Sequence, residues 1–177
     1  EIPLCPYDSC RLLAINLYSY VDQPFTQHAS FNGRLFAEHS RYALRIMDDI
    51  IDLELEKIDK IIAKIEADPE DEDVKRIEKN LWLNIRQKCI QGRRTGIGIT
   101  AEGDMLAALG LQYGSDEAIE FAVKVHQTLA VNAYRSSVTM AKERGGFPIF
   151  DANKEKKNPF INRLKDADAE LYEDMLK

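Results

Sequence analysis

The chain has 177 residues, with 24 lysines and arginines against 30 aspartates and glutamates, so its formal net charge is −6. Hydrophobic residues make up 45% and charged residues 31%, which excludes a disordered or collagen-like chain. No apolar run approaches the roughly 18 residues needed to cross a bilayer, and the acidic balance argues against a nucleic acid polymer as partner while leaving nucleotide binding open.

In chain order, Leu12 to Val21 is short, apolar and aromatic and runs into the turn signal Asp22-Gln23-Pro24. This predicts a strand over 11–21, covered on both faces. Ser30 or Asn32 caps the next helix. Its apolar positions are Leu35, Phe36, Tyr42, Ala43, Ile46, Met47, Ile50 and Ile51. A second helical segment carries Leu55, Ile58, Ile61, Ile62 and Ile65 and stops before Asp68-Pro69, because proline disfavours helix in the residue before it. A third runs from Glu72 to Gly92, the expected C-terminal cap.

The period then changes. Thr95-Gly96-Ile97-Gly98-Ile99-Thr100 is β-branched and glycine-bearing, and predicts a strand over 95–100. A short helix follows over 104–109, ended by Gly110. Ser115 caps a long helix that reaches Arg144 and stops at Gly145-Gly146. Its small-sided stripe of Ile119, Ala122, His126, Ala130, Ala133 and Ser137 predicts close approach to a neighbouring element. A lysine-rich turn at 154–157 precedes one final amphipathic helix. Two strands alone make no stable sheet, so the pattern predicts a piece of a larger sheet-bearing domain.

Three cysteines, Cys5, Cys10 and Cys89, and an N-terminus without the basic start and apolar core of a leader point to a reducing, cytoplasmic setting. Glu1, Cys5 and Cys10 lie close together on a proline-stiffened segment. A carboxylate in a closed pocket can act as a general base, and two thiols that meet can deliver two electrons by forming a disulfide. Read from the residues alone, the simpler reading is that Glu1 is a frayed terminal residue and both cysteines are small buried apolar groups. The acidic run Asp48, Asp49, Asp52, Glu54, Glu56 and Asp59 reads as a solvated helix face, since a di-iron bundle needs Glu-x-x-His pairs; no metal site is expected. His126 reads as a packed helix-face residue and Cys89 as core.

Glu1-Ile2-Pro3-Leu4-x-x-Tyr7-Asp8-Ser9-Cys10, followed by Ala14-Ile15-Asn16-Leu17, resembles the active-site segment of the ribonucleotide reductase large subunit. Met47 to Glu54 resembles that family's helix in this region. Gly92-Arg93-Arg94-Thr95-Gly96-Ile97-Gly98-Ile99-Thr100, with Gly103 to Gly110, is most similar to the adenosylcobalamin-dependent branch. Tyr134 to Ser137, Ala141 to Gly145 and Leu171 to Asp174 continue the likeness in collinear order.

The resemblance implies an α/β fold: a mainly helical slice of a ten-stranded α/β barrel, with all of 1–177 a single internal piece. It implies reduction of a ribonucleotide at its 2′-hydroxyl, begun by a cysteine thiyl radical that abstracts the 3′-hydrogen. Glu1 would take the 3′-hydroxyl proton, and Cys10 would be one of the two thiols oxidised to a disulfide. The radical cysteine and the partner of Cys10 fall outside these residues, so a polypeptide of this length alone is expected to be inactive. Adenosylcobalamin is the implied cofactor, with no site assigned in this chain. The implied partners are the ribonucleotide, a thioredoxin-like reductant and the rest of the barrel, and a homodimer is allowed. Two departures stand out: relatives read Cys-Asn-Leu-Gly where this chain reads Cys10-Arg11-Leu12-Leu13, and Cys5 is an extra thiol. The alternatives are a large subunit served by a metal-radical small subunit, or a non-catalytic helical interaction module.

Overall fold

A computed structural model describes residues 4–177. Strand β1 (Arg11–Asn16) leads through a 3₁₀ turn (Leu17–Tyr20) into a two-residue antiparallel pair, β2 (Val21–Asp22) with β3 (Ser30–Phe31). Helices α1 (Gly33–Ala67) and α2 (Glu72–Gly92) follow, then strand β4 (Thr95–Thr100). The remainder is helical: α3 (Glu102–Ala108), α4 (Asp116–Arg144), α5 (Ala152–Glu155), α6 (Pro159–Ala167) and α7 (Ala169–Met175). Among the described residues the chain is mainly helical with few strands and no closed barrel.

β1 and β4 pair in parallel, with Arg11 opposite Thr95, Leu13 opposite Ile97 and Asn16 opposite Thr100. Parallel neighbours need a crossover, and the α1–α2 pair supplies it. β4 has the bounds its sequence predicts. β1 is shorter than predicted. Leu17 and Tyr20 are both buried, and a strand would send residues three apart to opposite faces. The 3₁₀ turn stacks them on one side, where they join Ile15, Phe36, Met105 and Val125 in the main core. Tyr20, Phe31 and Phe36 meet there at ring distances of 5.2–6.1 Å.

The two helical segments predicted before Asp68 are one helix. In α1 the buried positions Phe36, Ser40, Ala43, Met47, Ile51, Ile58 and Ile65 form one continuous stripe. Asn32 caps its start by accepting from the Leu35 amide at 3.1 Å. The helix stops at Ala67, before Asp68-Pro69, as proline requires. At the end of α2 the left-handed residue is Arg93, φ 42°, not Gly92.

Ser115 caps α4 by accepting from the Ala118 amide. Its buried face is Ala118, Val125, Leu129, Ser136 and Met140, one residue out of phase with the predicted small stripe. Val125, Leu129 and Met140 offer more apolar area than alanine does, so they decide the rotation. His126 is consequently exposed, against expectation, with Nε2 3.3 Å from Glu102 Oε1. Close approach still occurs: the Ser136 hydroxyl donates to the Arg41 carbonyl of α1 at 2.8 Å.

The single final helix is two, α6 and α7, and the one-turn helix α5 overlaps the lysine-rich turn ahead of them. Asn158 and Pro159 restart the chain, and Asp168, with extended backbone, ends α6 and caps α7 at once. Ile161, Leu164 and Tyr172 form a second core against Ala130, Val131 and Tyr134 of α4.

Candidate functional site

The β1–β4 pair has two unlike faces, because strand side chains alternate. Leu13, Ile15, Ile97 and Ile99 point to the helices and pack on the main core. Leu12, Ala14, Asn16 and Thr100 are exposed on the other side, and Leu12 keeps 79% of its surface open. A Cβ on Gly96 would stand 2.7 Å from Leu12 Cδ2 and 3.3 Å from Cys10 Sγ. Cys10 and Gly96 thus share the open face with Leu12. Gly96 leaves room for the Leu12 side chain and the Cys10 thiol to lie against it, and Gly98 faces empty space.

The chain reaches Cys10 through a tight turn. The Asp8 amide donates to the Cys5 carbonyl at 3.1 Å, Pro6 sits second in the turn, and Tyr7 takes a left-handed φ of 65°. That conformation costs a non-glycine residue about 1 kcal/mol, so other contacts must hold it. Asp8 provides them: one carboxylate oxygen accepts from the Ser9 amide at 3.0 Å, and the other is ion-paired to Arg94 Nε. The Asp8 side chain is only 4% exposed.

Arg11 follows Cys10 and points the opposite way, under the sheet. Its Nε is paired with Glu54 of α1. Its Nη1 donates to the carbonyls of Ser9 at 3.1 Å and Arg94 at 3.4 Å, and its Nη2 to Cys89 Sγ at 3.1 Å. Burial works against the guanidinium charge, and Glu54 and Cys89 together more than reverse it, so Arg11 is held above its ordinary value. Burial also pushes the Cys89 thiol up, against the pull of Arg11. Cys89 is thus core, as predicted, and a protonated one. Of the other thiols, Cys10 is half-buried and Cys5 exposed. Glu1 lies outside the described residues, so its distance to Cys10 is not defined.

The acidic run is not a plainly solvated face. Asp48 accepts from Arg93 and Arg144, Asp49 from Arg144, Asp52 from Arg93 and Asp59 from Arg86. Burial lowers the Arg93 pKa and the bonds to Asp48 and Asp52 more than reverse it. The carboxylates of Asp48, Asp49 and Asp52 approach within 4.8 Å of one another, and each is already bonded by Arg93 or Arg144.

Arg11, Glu54, Asp8 and Arg94 were not among the candidates drawn from the sequence. A signal existed for the first two. Arg11 shares parity with Leu13 and Ile15, the buried side of β1, and Glu54 falls in the stripe between Ile51 and Ile58. An opposite charge at a buried position of each element is a pairing signal.

The sequence model described as "Ribonucleotide reductase, barrel domain" matches residues 1–174. The chain belongs to that family. Similar proteins include the vitamin B12-dependent ribonucleoside-diphosphate reductase of Mycobacterium tuberculosis, 29% identical over 154 residues, covering 85% of this chain and 17% of the relative. The Thermoplasma acidophilum protein of the same name is 29% identical over 150 residues, covering 85% of this chain and 16% of its own length. A ribonucleoside-diphosphate reductase large subunit of African swine fever virus is 37% identical over 65 residues, covering 37% of this chain and 8% of the relative. The chain thus spans less than a fifth of the curated relatives it matches.

Proposed function

We propose that this chain is part of the catalytic barrel of an adenosylcobalamin-dependent ribonucleoside-diphosphate reductase, with residues 1–177 forming one continuous piece of it. The observation that carries the reading is the position of Cys10, half-buried on the open face of a parallel strand pair whose other face is covered by helices. In a barrel, helices lie outside and the uncovered face lines the interior, where the ribonucleotide would sit. Gly96 makes room for the thiol itself, and Gly98 adds no side chain to the open face.

In this reading Cys10 and a cysteine elsewhere in the parent each give up a proton and an electron and close a disulfide. The ribonucleotide loses its 2′-hydroxyl as water and gains hydrogen in its place. A thioredoxin-like dithiol then reduces the disulfide by exchange. Glu1, at the start of the motif, takes the 3′-hydroxyl proton. A polypeptide of only these residues is inactive. The setting of the reaction is cytoplasmic.

Adenosylcobalamin, when bound, supplies the radical that starts the reaction. The described residues do not form a holder for it. None of the three histidines lies on β1 or β4, and His39 is bonded through Nδ1 to the Tyr20 hydroxyl at 2.9 Å. The cofactor assignment therefore rests on the names of the mycobacterial and archaeal relatives. The viral likeness favours a second reading, a large subunit activated by a metal-radical small subunit. Among the described residues no helix is long and apolar enough to cross a membrane.

The test is deoxyribonucleotide formation by the full-length protein that carries this chain, with and without added adenosylcobalamin. Cobalamin-dependent turnover is expected; turnover indifferent to cobalamin moves the assignment to the second reading. Cys10→Ser should abolish multiple turnover, and Cys5→Ser should leave it. The reverse result gives the redox role to Cys5. Full activity in both variants removes Cys10 from the chemistry. Upstream coding sequence that reads Asn-x-Cys-Gly directly into Glu1 would support the base assignment.

A further inference from the structure

Cys10 is held from both sides by two arginines that cross. Arg94, at the start of β4, reaches back to the Asp8 carboxylate, two residues before Cys10. Arg11, one residue after Cys10, reaches forward to the Arg94 carbonyl and back to the Ser9 carbonyl. Each arginine thus ties the thiol-bearing segment to the other's strand. The clasp is anchored below by Glu54, which fixes Arg11 to the middle of α1. A guanidinium suits this work because its five donors lie in a rigid plane and keep their charge at any working pH. The Arg11 side chain is 9% exposed and that of Asp8 4%, while their partners Glu54 and Arg94 keep 30% and 28%, so one member of each pair is shielded from water.

We infer that Arg11, Glu54, Asp8 and Arg94 are positioning residues that set where the Cys10 thiol stands on the open face, and so when it can meet its disulfide partner. The inference rests on the proposed redox role of Cys10. Disulfide closure is geometrically strict: the two Cβ atoms must come within about 3.5–4.5 Å with a fixed dihedral. A thiol on a segment that turns through a left-handed tyrosine just before Asp8 wanders unless something stops it. Arg11 stands where many of the resembling sequences carry asparagine, a side chain too short to reach three elements at once. The clasp is therefore a feature of this chain's own residues.

The test uses the full-length protein and counts alkylation of each cysteine separately by peptide mass spectrometry, with iodoacetamide as probe. Asp8→Asn is the chosen variant. It keeps size and the Ser9 contact, removes the charge that Arg94 holds, and touches neither Cys89 nor Glu54. Cys10 alkylation should rise about tenfold, the factor set by losing one charge-assisted hydrogen bond, while Cys89 stays protected. In turnover kcat should fall with KM unchanged, because the ribonucleotide still binds but the disulfide closes less often. Arg11→Lys should rescue part of the loss seen in Arg11→Gln. Equal rises at Cys10 and Cys89 would mean general loosening and overturn the inference, as would no change at Cys10. If Cys10→Ser proves fully active while Asp8→Asn still frees Cys10, the clasp stands and the redox reading falls.

Discussion

The two faces of the β1–β4 pair teach opposite lessons from the same strands. On one face Leu13, Ile15, Ile97 and Ile99 pack into a core with Phe36, Tyr20 and Val125. On the other, Leu12 lies open above Gly96, and Ala14, Asn16 and Thr100 face out. The first face holds the fold, and its residues are large because burial rewards area. The second has the features of a site: a half-buried thiol, two glycines and no packing partner among the described residues. Arg11 belongs to the first face in direction and to the second in consequence.

Substitutions can break this contrast. The largest effect belongs to Phe36→Ala, because Phe36 has no exposed surface and stacks edge-on to Tyr20 and Phe31; it should cost about 3–5 kcal/mol in thermal or denaturant unfolding. A loss below 1 kcal/mol would mean the core can close over the hole. Glu54→Gln comes next, at about 1–3 kcal/mol, since Arg11 loses its charged acceptor but keeps its carbonyl ones. Leu12→Ser should change stability by no more than about 0.5 kcal/mol, as exposed positions do. A large loss there, measured on the same chain, would show that something covers the open face.

The smallest effect concerns acid. Lys142 and Lys177 bond the partly exposed Asp174 carboxylate and bring it from the ordinary 3.8 down to about 2. A depressed carboxyl stabilises the fold when ionised, so its contribution is complete above about pH 4 and disappears as the pH falls to about 2. Lys142→Met should flatten that part of an acid-unfolding curve and leave the neutral region alone. An unchanged curve would show that the pair is too well hydrated to matter.

Much of the fold is legible in the sequence alone. Asn32, Ser115 and Asp68-Pro69 are local signals whose chemistry acts within one turn of helix, and each element begins or ends where they place it. Thr95 to Thr100 has a pattern that suits only a strand. What escapes is what depends on partners distant in sequence. Leu17 and Tyr20 look like strand residues until the core asks both to face one way. His126 looks packed until Val125 and Leu129 turn α4 by one residue. The acids of α1 look solvated because nothing local says that Arg11, Arg93 and Arg144 come to meet them. The motif around Glu1 and Cys10 points to the family through resemblance, but the clasp around Cys10 is spelled by residues more than eighty apart, as Arg11 and Arg94 are.

The pairing of Arg11 with Thr95 also fixes an order of events during synthesis. At ~5–20 residues per second, β1 leaves the ribosome on the order of ten seconds before β4 exists. The intervening α1–α2 hairpin needs only local contacts and forms in microseconds to milliseconds. Nascent β1 can therefore meet α1, with Glu54 set to receive Arg11, on the order of a few seconds before its partner strand arrives, since α1 ends at Ala67 and β4 begins at Thr95. The salt bridge under Cys10 then acts as a bookmark that keeps the first strand's place on α1 until the second is made.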